Sequence, residues 1–414
     1  MNPVTLTDVQ ALDSADPLAH KRVEFDLPEH ISYLDGNSLG CLPSAVRTRV
    51  TEVIDQQWGT DLIKSWNTHG WIDLPVVTGE KIARLIGAAP GQVICCDSIS
   101  VNLFKLLSAA LGLQPGRTVV LSQDDNFPTD LYMVQGLSDL LGSHRCRLST
   151  VRAEDLERQL SSDVAVLMLT HVNFRSGYIH DMQRITELAH SKGILVIWDL
   201  AHSAGVLPLQ LDQCKVDFAV GCTYKYLNAG PGAPAFLYVA KRHLSHVNQA
   251  LSGWMGHQSP FQFSSEYEGA PGIEKFLTGT PPVISMSALD AALDVFDKVD
   301  LLEVRQKTKR LTDLFITLAA QTPALDALSL ASPTDADQRG AQLAWRHANA
   351  YAICQALIAE GVIGDFRAPD ILRLGFSPLY LRYEDVWHSV KVLATIMETG
   401  RWQDKKFSQT SKVT

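Results

Sequence analysis

Short apolar, β-branched runs alternate along this chain with longer stretches whose apolar positions recur at helical spacing. The runs are QVICC (92–96), RTVVLSQ (117–123), VAVLMLTHVN (164–173), GILVIWD (193–199), VDFAVGC (216–222) and APAFLYVA (233–240). Each is bounded by turn residues and too short for an ordinary helix, which predicts strands buried on both faces of a mainly parallel sheet. Between them DSISVNLFKLLSAALG (97–112) and the segment from Met182 to His190 predict helices, the second stopped by Gly193. This strand–helix alternation from Val93 to Val239 is the signature of an α/β fold. From Met286 to Ala320 the pattern turns into one long, more charged amphipathic run that leads into a second unit. There, strands are expected near Ala341–Trp345 and Ile371–Phe376, with helices from Asn349 to Ala359 and Tyr383 to Glu398. The tail after Arg401 is expected to fray. Residues 1–32 are polar and mixed, and ISYLDGNSLGCLP (31–43) reads as a short strand and turn before a helix opening near Ser44.

The resulting division is an N-terminal arm (1–45) packing with a small domain, a large α/β domain (46–295) and a smaller α+β C-terminal domain (296–414). A length of 414 residues exceeds what one ordinary core supports. Hydrophobic residues make up 46% and charged residues 20%, the balance of a soluble globular protein. A net charge of −9 without a Lys/Arg cluster argues against a nucleic-acid partner. No uncharged apolar stretch approaches the ~20 residues of a membrane helix, and the first residues lack the apolar core of a secretory signal. The seven cysteines are scattered, with no CxxC and no Cys/His ligand spacing, so no metal is expected. Adjacent Cys95 and Cys96 read as small core residues, and a reducing, cytoplasmic setting follows.

Two strand runs carry the candidate chemistry. One ends on Asp199; the next ends on Thr223-Tyr224-Lys225, with Lys225 26 residues after Asp199. Ligands of parallel α/β sheets bind beyond the carboxyl ends of the strands, so Asp199 and Lys225 are expected at one rim on neighbouring strands. They could form a buried ion pair. Alternatively, Lys225 carries the aldehyde of pyridoxal phosphate and Asp199 keeps its ring nitrogen protonated, turning the ring into an electron sink. Ala201-His202 after the aspartate, Tyr224 before the lysine and the turn Asn228–Gly232 favour the second reading.

With YLDGNSLG (33–40), NFPTD (126–130), DLAHSAG (199–205), CTYKYLNAGPG (222–232), LSGWMGH (251–257) and RLGFSPLY (373–380), the chain closely resembles the kynureninases, bacterial forms above all. These are pyridoxal-phosphate enzymes of the aspartate-aminotransferase fold, and the resemblance runs from about Tyr33 to about Trp387. It implies hydrolysis of L-kynurenine to anthranilate and L-alanine in tryptophan catabolism and NAD biosynthesis, with 3-hydroxy-L-kynurenine a poorer substrate. It implies a homodimer with a shared active site.

The resemblance assigns Lys225, Tyr224 and Asp199 to catalysis. It places Ile99, Ser100, Phe127, Pro128, Thr129, Asp130, Thr170, His202, Trp254 and Thr280 on the cofactor as well, with Trp254 reaching the phosphate from the neighbouring subunit. Ile99 and Ser100 open a helix, whose free N–H groups and dipole suit a phosphate; Ser98 or Ser100 could equally be a plain N-cap. Without the resemblance, Thr129 or Asp130 would be a helix cap. Arg373, Trp66, Asn37 and Thr280 are placed on the substrate: Arg373 as a two-pronged carboxylate clamp, Trp66 as an aromatic wall, Thr280 as a selector of the ring. His171 and Asn173 read as structural polar groups. The alternatives are another enzyme of this fold, such as a cysteine desulfurase or aminotransferase, and a cofactor-binding regulator without catalysis. A desulfurase would need a nucleophilic cysteine on a mobile loop, and none of the seven stands in one, although Cys41 and Cys222 flank the motifs. A regulator of this kind would carry an extra DNA-binding domain, for which no room exists before Tyr33.

Overall fold

The computed structural model describes residues 3–409. Thirteen strands are numbered here in chain order among those residues. β1 is Ser32–Tyr33, β2 Val93–Cys95, β3 Val119–Gln123, β4 Arg147–Val151, β5 Val164–Thr170, β6 Leu195–Asp199, β7 Phe218–Gly221 and β8 Phe236–Val239. β9 is Ser329–Leu330, β10 Gln342–Arg346, β11 Val362–Ile363, β12 Asp365–Arg367 and β13 Ile371–Gly375. β2 to β8 build a seven-stranded sheet in the order β2-β8-β7-β6-β5-β3-β4. Every neighbouring pair from β7 to β4 is parallel; β8 alone runs against its neighbours β7 and β2.

Side chains alternate across a strand, and here the alternation sorts two cores. On β5, Leu167 and Leu169 join one core while Val166 and Met168 join the other; on β6, Val196 and Trp198 are separated from Ile197 in the same way. The helices Ile99–Leu113 and Pro128–Leu141 cover one face through Leu103, Leu106, Leu107, Val134 and Leu137. Met182–Ser191, capped by the Asp181 carboxylate, supplies Met182, Ile185 and Ala189 to the other. A doubly covered sheet leaves its strand ends as the exposed polar edge, and register puts the chemistry there. Thr170 pairs with Asp199, and Asp199 with Val220, so three carboxyl ends lie side by side. At the opposite ends, buried Asp217 pins β7 to β6. It accepts from the Val196 N–H (2.9 Å) and lies 2.7 and 2.8 Å from the Nε2 atoms of His190 and His243.

A second, antiparallel sheet has the order β12-β13-β10-β9, and β1 of the N-terminal segment pairs in parallel with β11. The first residues are more regular than their composition predicts: Leu6–Ser14 is a helix closed by a Thr5/Asp8 capping box. That arm lands on the C-terminal helices, where Asp13 accepts from the N–H groups of Tyr383 and Glu384, and Asp16 pairs with buried Lys307 at 2.6 Å.

Three further expectations are corrected. The amphipathic run after Met286 is two helices, Val283–Ala292 and Leu301–Ala320; Lys298 takes a left-handed φ of 59° between them and Asp300 caps the second. The helix after NFPTD begins at Pro128 with Phe127 as a cap lacking any side-chain bond, so neither Thr129 nor Asp130 caps it. The tail does not fray directly after Arg401: short 3-10 turns follow, and Phe407 is 5% exposed in the core. Residues 410–414 of that expectation lie outside the described residues. No helix among the described residues is long and apolar enough to cross a membrane.

Candidate active site

β7 ends at Gly221, so Lys225 stands four residues beyond its strand, in a turn rather than at a strand end. The turn is held by its own bonds: Asn228 N–H donates to the Lys225 carbonyl, Ala229 N–H to Thr223, and the Thr223 hydroxyl to Pro234. The N-terminal segment lies directly against it. Gly40 N–H donates to the Tyr224 carbonyl, and a Cβ at Gly40 would sit 2.3 Å from the Lys225 carbonyl oxygen, so no other residue fits. YLDGNSLG is therefore part of the lysine's support as well as a turn.

Lys225 opens onto a cavity of about 240 Å³. Ile99, Ser100, Phe127, Thr129, Asp130, Thr170, Asp199, His202 and Tyr224 line it with Lys225. Asp199 is 3% exposed and accepts from the Ala201 N–H at 2.8 Å. Asp130, in the first turn of its helix, is fully buried; its Oδ1 has no partner and its Oδ2 has only a long contact of 3.5 Å to Thr170. Burial raises both carboxyls, and the Asp199 charge raises Asp130 well above the ordinary range. Two acids so placed call for a cation between them. His202 is kept neutral by burial and then by the charges of Lys225 and Arg373; its Nδ1 lies 2.7 Å from the Gln342 side-chain oxygen on β10. Burial raises the Tyr224 phenol, which stays protonated at neutral pH.

Ser98 caps the Ile99–Leu113 helix by accepting from the Val101 N–H, and Ser98, Ile99 and Ser100 line the cavity, so this helix start borders it. Phe127, 41% exposed and with its backbone N–H held by the Asn126 side-chain oxygen at 2.7 Å, also lines the cavity. A helix start, an aromatic side chain, an amine and an unpartnered buried acid around one cavity together fit pyridoxal phosphate.

The remaining candidates stand elsewhere in this chain. Pro128 only opens its helix. Trp254 is 41% exposed and packs edge-on against Phe261; Thr280 is exposed; Trp66 packs edge-on against Trp71 at 5.8 Å. None of the three lines the cavity. Asn37 is fully buried with both side-chain polar atoms unpartnered, and it occupies the space that a Cβ at Gly375 would fill. Arg373 is 1% exposed and engaged: its Nε donates to Asp365 at 2.8 Å and its Nη1 to the Phe174 carbonyl at 2.7 Å. His171 and Asn173 serve structure, the first beside Ser203 and the second accepting from the N–H groups of Arg175 and Ser176.

Phe174 escaped the sequence reading. Its ring lines the cavity edge-on to Phe127 at 5.3 Å, and its carbonyl accepts from Arg373 and Gln342. The usable signal was its place just past VAVLMLTHVN, where ligands gather at such sheets. Cys222, also in the cavity wall, has its thiol raised by burial, and Cys41 is pushed up to about 12 for the same reason. Such thiols are protonated and poor nucleophiles, against a desulfurase.

Residues 304–393 match the family model described as the kynureninase C-terminal domain. Curated kynureninases from Burkholderia pseudomallei (strain 1106a) and Pseudomonas fluorescens are 48% and 46% identical, each over 99% of this chain and 100% of the relative. Among solved structures, a C-DES mutant with glycine covalently linked to its PLP cofactor matches with TM-score 0.78 at 19% identity, covering 90% of this chain and 98% of that one. The cysteine desulfurase of Thermococcus onnurineus NA1 matches with TM-score 0.77 at 16% identity, covering 92% and 98%. At such identities the structures establish the shared fold, while the full-length sequence match establishes the lineage: the chain belongs to the kynureninase family.

Proposed function

We propose that this chain binds pyridoxal 5′-phosphate and hydrolyses the Cβ–Cγ bond of L-kynurenine, giving anthranilate and L-alanine. The observation that carries the reading is an amine, Lys225, opening onto one cavity with two buried acids, in a chain 48% identical over its length to a curated kynureninase. Incubation of purified protein with L-kynurenine tests it: anthranilate fluorescence should grow with time, and its absence would overturn the reading.

When bound, the cofactor supplies an aldehyde for an amine and a ring able to store the electrons left at the substrate's Cα. Lys225 would hold the aldehyde and, with its amine free, would serve as the base for the substrate's Cα proton. Asp199 holds a proton on the ring nitrogen, and Asp130 stays neutral beside it, so the site does not bury two bare carboxylates. The helix start at Ile99 and Ser100 holds the phosphate, Thr129 and Thr170 offer hydroxyls, and Phe127 covers the ring face. Tyr224 keeps its phenolic proton available for the oxygen and carbon atoms that gain charge as water adds at Cγ and the Cβ–Cγ bond breaks. His202 remains uncharged and avoids competing with Lys225. Asn37 and Arg373 receive the substrate's α-carboxylate.

The division into an arm (1–45), a large domain (46–295) and a small domain (296–414) belongs to the same reading, as does a cytoplasmic homodimer. Trp66, Trp254 and Thr280 do not line their own chain's cavity; Trp254 packs against exposed Phe261, which meets exposed Phe263, and Ile54, Trp58 and Ile63 are exposed as well. An apolar face of this kind suits a second copy, which would receive the three residues at its cavity. Complementation tests this arrangement. Lys225→Ala and Trp254→Ala proteins, each impaired alone, should regain activity when co-folded, because one hybrid site is then intact; no gain would remove the shared site.

Ring choice follows. Trp66 would narrow the aryl end, and Thr280 offers it one short hydroxyl. Burying an added ring hydroxyl without a partner costs roughly 1–3 kcal/mol. L-kynurenine should therefore exceed 3-hydroxy-L-kynurenine in kcat/KM by about tenfold or more, read by competing both on one sample. Equal rates would mean a wider or more polar pocket end.

A further inference from the structure

Arg373 stands behind Phe174, a residue of the cavity wall, already loaded with contacts. It is 1% exposed on β13, and Asp365, its cross-strand partner on β12, is 2% exposed. The pair is side-on: Nε donates to Asp365 Oδ1 at 2.8 Å and Nη2 to Oδ2 at 2.5 Å. The edge between Nη1 and Nη2 faces the other way. Nη1 donates to the carbonyl of Phe174, whose residue lines the cavity, and Nη2 to the Ser38 hydroxyl at 3.1 Å. Asp365 also accepts from Ser38 Oγ and lies 2.8 Å from Arg367 Nη2. One carboxylate thus fixes the rear edge of the arginine and the hydroxyl at its front.

We propose that Asp365 is a positioning residue that turns the free edge of Arg373 toward the cavity, so that the α-carboxylate of the amino-acid substrate replaces Ser38 and the Phe174 carbonyl on that edge. This rests on the reading above in which Arg373 receives that carboxylate. Physically, an arginine buried to this degree needs a counter-charge, and a carboxylate on the side edge supplies it without covering the end edge. The neighbouring acid does not share that task. Asp35 is pushed up to about 7 by burial and by the Asp365 charge, whereas Asp365, although burial opposes it, is held below the ordinary carboxylate range by Arg373. Asp365 is thus the ionised member of the pair.

Asp365→Asn tests the assignment. An amide can still accept from Nε, but it turns an NH2 group toward Nη2 and removes the charge. The KM for L-kynurenine should rise by about tenfold or more while kcat changes by less than about threefold. The decarboxylated amine of kynurenine, used as a competitive inhibitor, should bind the parent and the variant equally, because it has no carboxylate for Arg373 to hold. A KM unchanged within about twofold, a fall in kcat at constant KM, or a parallel loss of the decarboxylated inhibitor would overturn the proposal. If Asp365→Asn does not fold, Asp365→Glu decides: it keeps the charge but moves the carboxylate along the arginine's side edge, so a KM rise with the inhibitor unaffected supports the assignment, and an unchanged KM refutes it. A parent protein without activity on L-kynurenine would instead count against the proposed function.

Discussion

Lys225→Ala should abolish turnover of L-kynurenine, lowering kcat by at least about 10⁴-fold. In the proposed mechanism the residue serves twice, as the amine that holds the aldehyde and as the base at Cα, and among the described residues no second lysine lines the cavity to replace it. The turn around it is closed by backbone bonds and by Gly40 rather than by the ammonium group, so the variant should fold. Borohydride reduction of the parent should fix the chromophore to the peptide containing Lys225, and the variant should yield no such peptide. A covalent adduct at another lysine of the variant, with activity retained, would remove the central claim.

The second large effect belongs to Asp199→Asn. An amide cannot take the charge that keeps the ring nitrogen protonated, so the electron sink weakens while phosphate contacts and the Ala201 N–H bond remain. We expect kcat to fall well over tenfold, beyond ~1.4 kcal/mol of barrier, with cofactor content nearly unchanged by absorbance. A smaller fall would show that Asp199 is not the ring partner.

Asp199 was legible because it ends an unbroken apolar run, and strand ends are where parallel sheets expose polar groups. The helix start at Ile99 was legible from Ser98 followed by helical periodicity. Both are local signals. Lys225 was correctly paired with Asp199 but misplaced by four residues, since an apolar run does not reveal where a ladder stops and a turn begins. Asp365 gave no signal: β12 is three residues long, with Asp365 and Arg367 on one face and Phe366 on the other, and its place beside β13 is set by pairing. Phe174 was passed over because the bond that anchors its carbonyl comes from Gln342, 168 residues later, and leaves no local signal. Thr5 and Asp8 did carry a legible capping box, overlooked because the residues around it are polar. Trp66, Trp254 and Thr280 could not be located from periodicity, which reports only how a segment faces its own core.

The carbonyl of Phe174 is a junction with consequences for redesign. It accepts from Arg373 and from Gln342, while its ring forms the cavity wall beside Phe127. Backbone shifts made there to admit a larger aromatic substrate would move the acceptor on which the arginine rests and the amide that orients His202. Breadth at the ring end and grip at the amino-acid end are therefore mechanically linked. Variants selected for bulkier rings should accumulate compensating changes on β10 and β13, far from the ring itself.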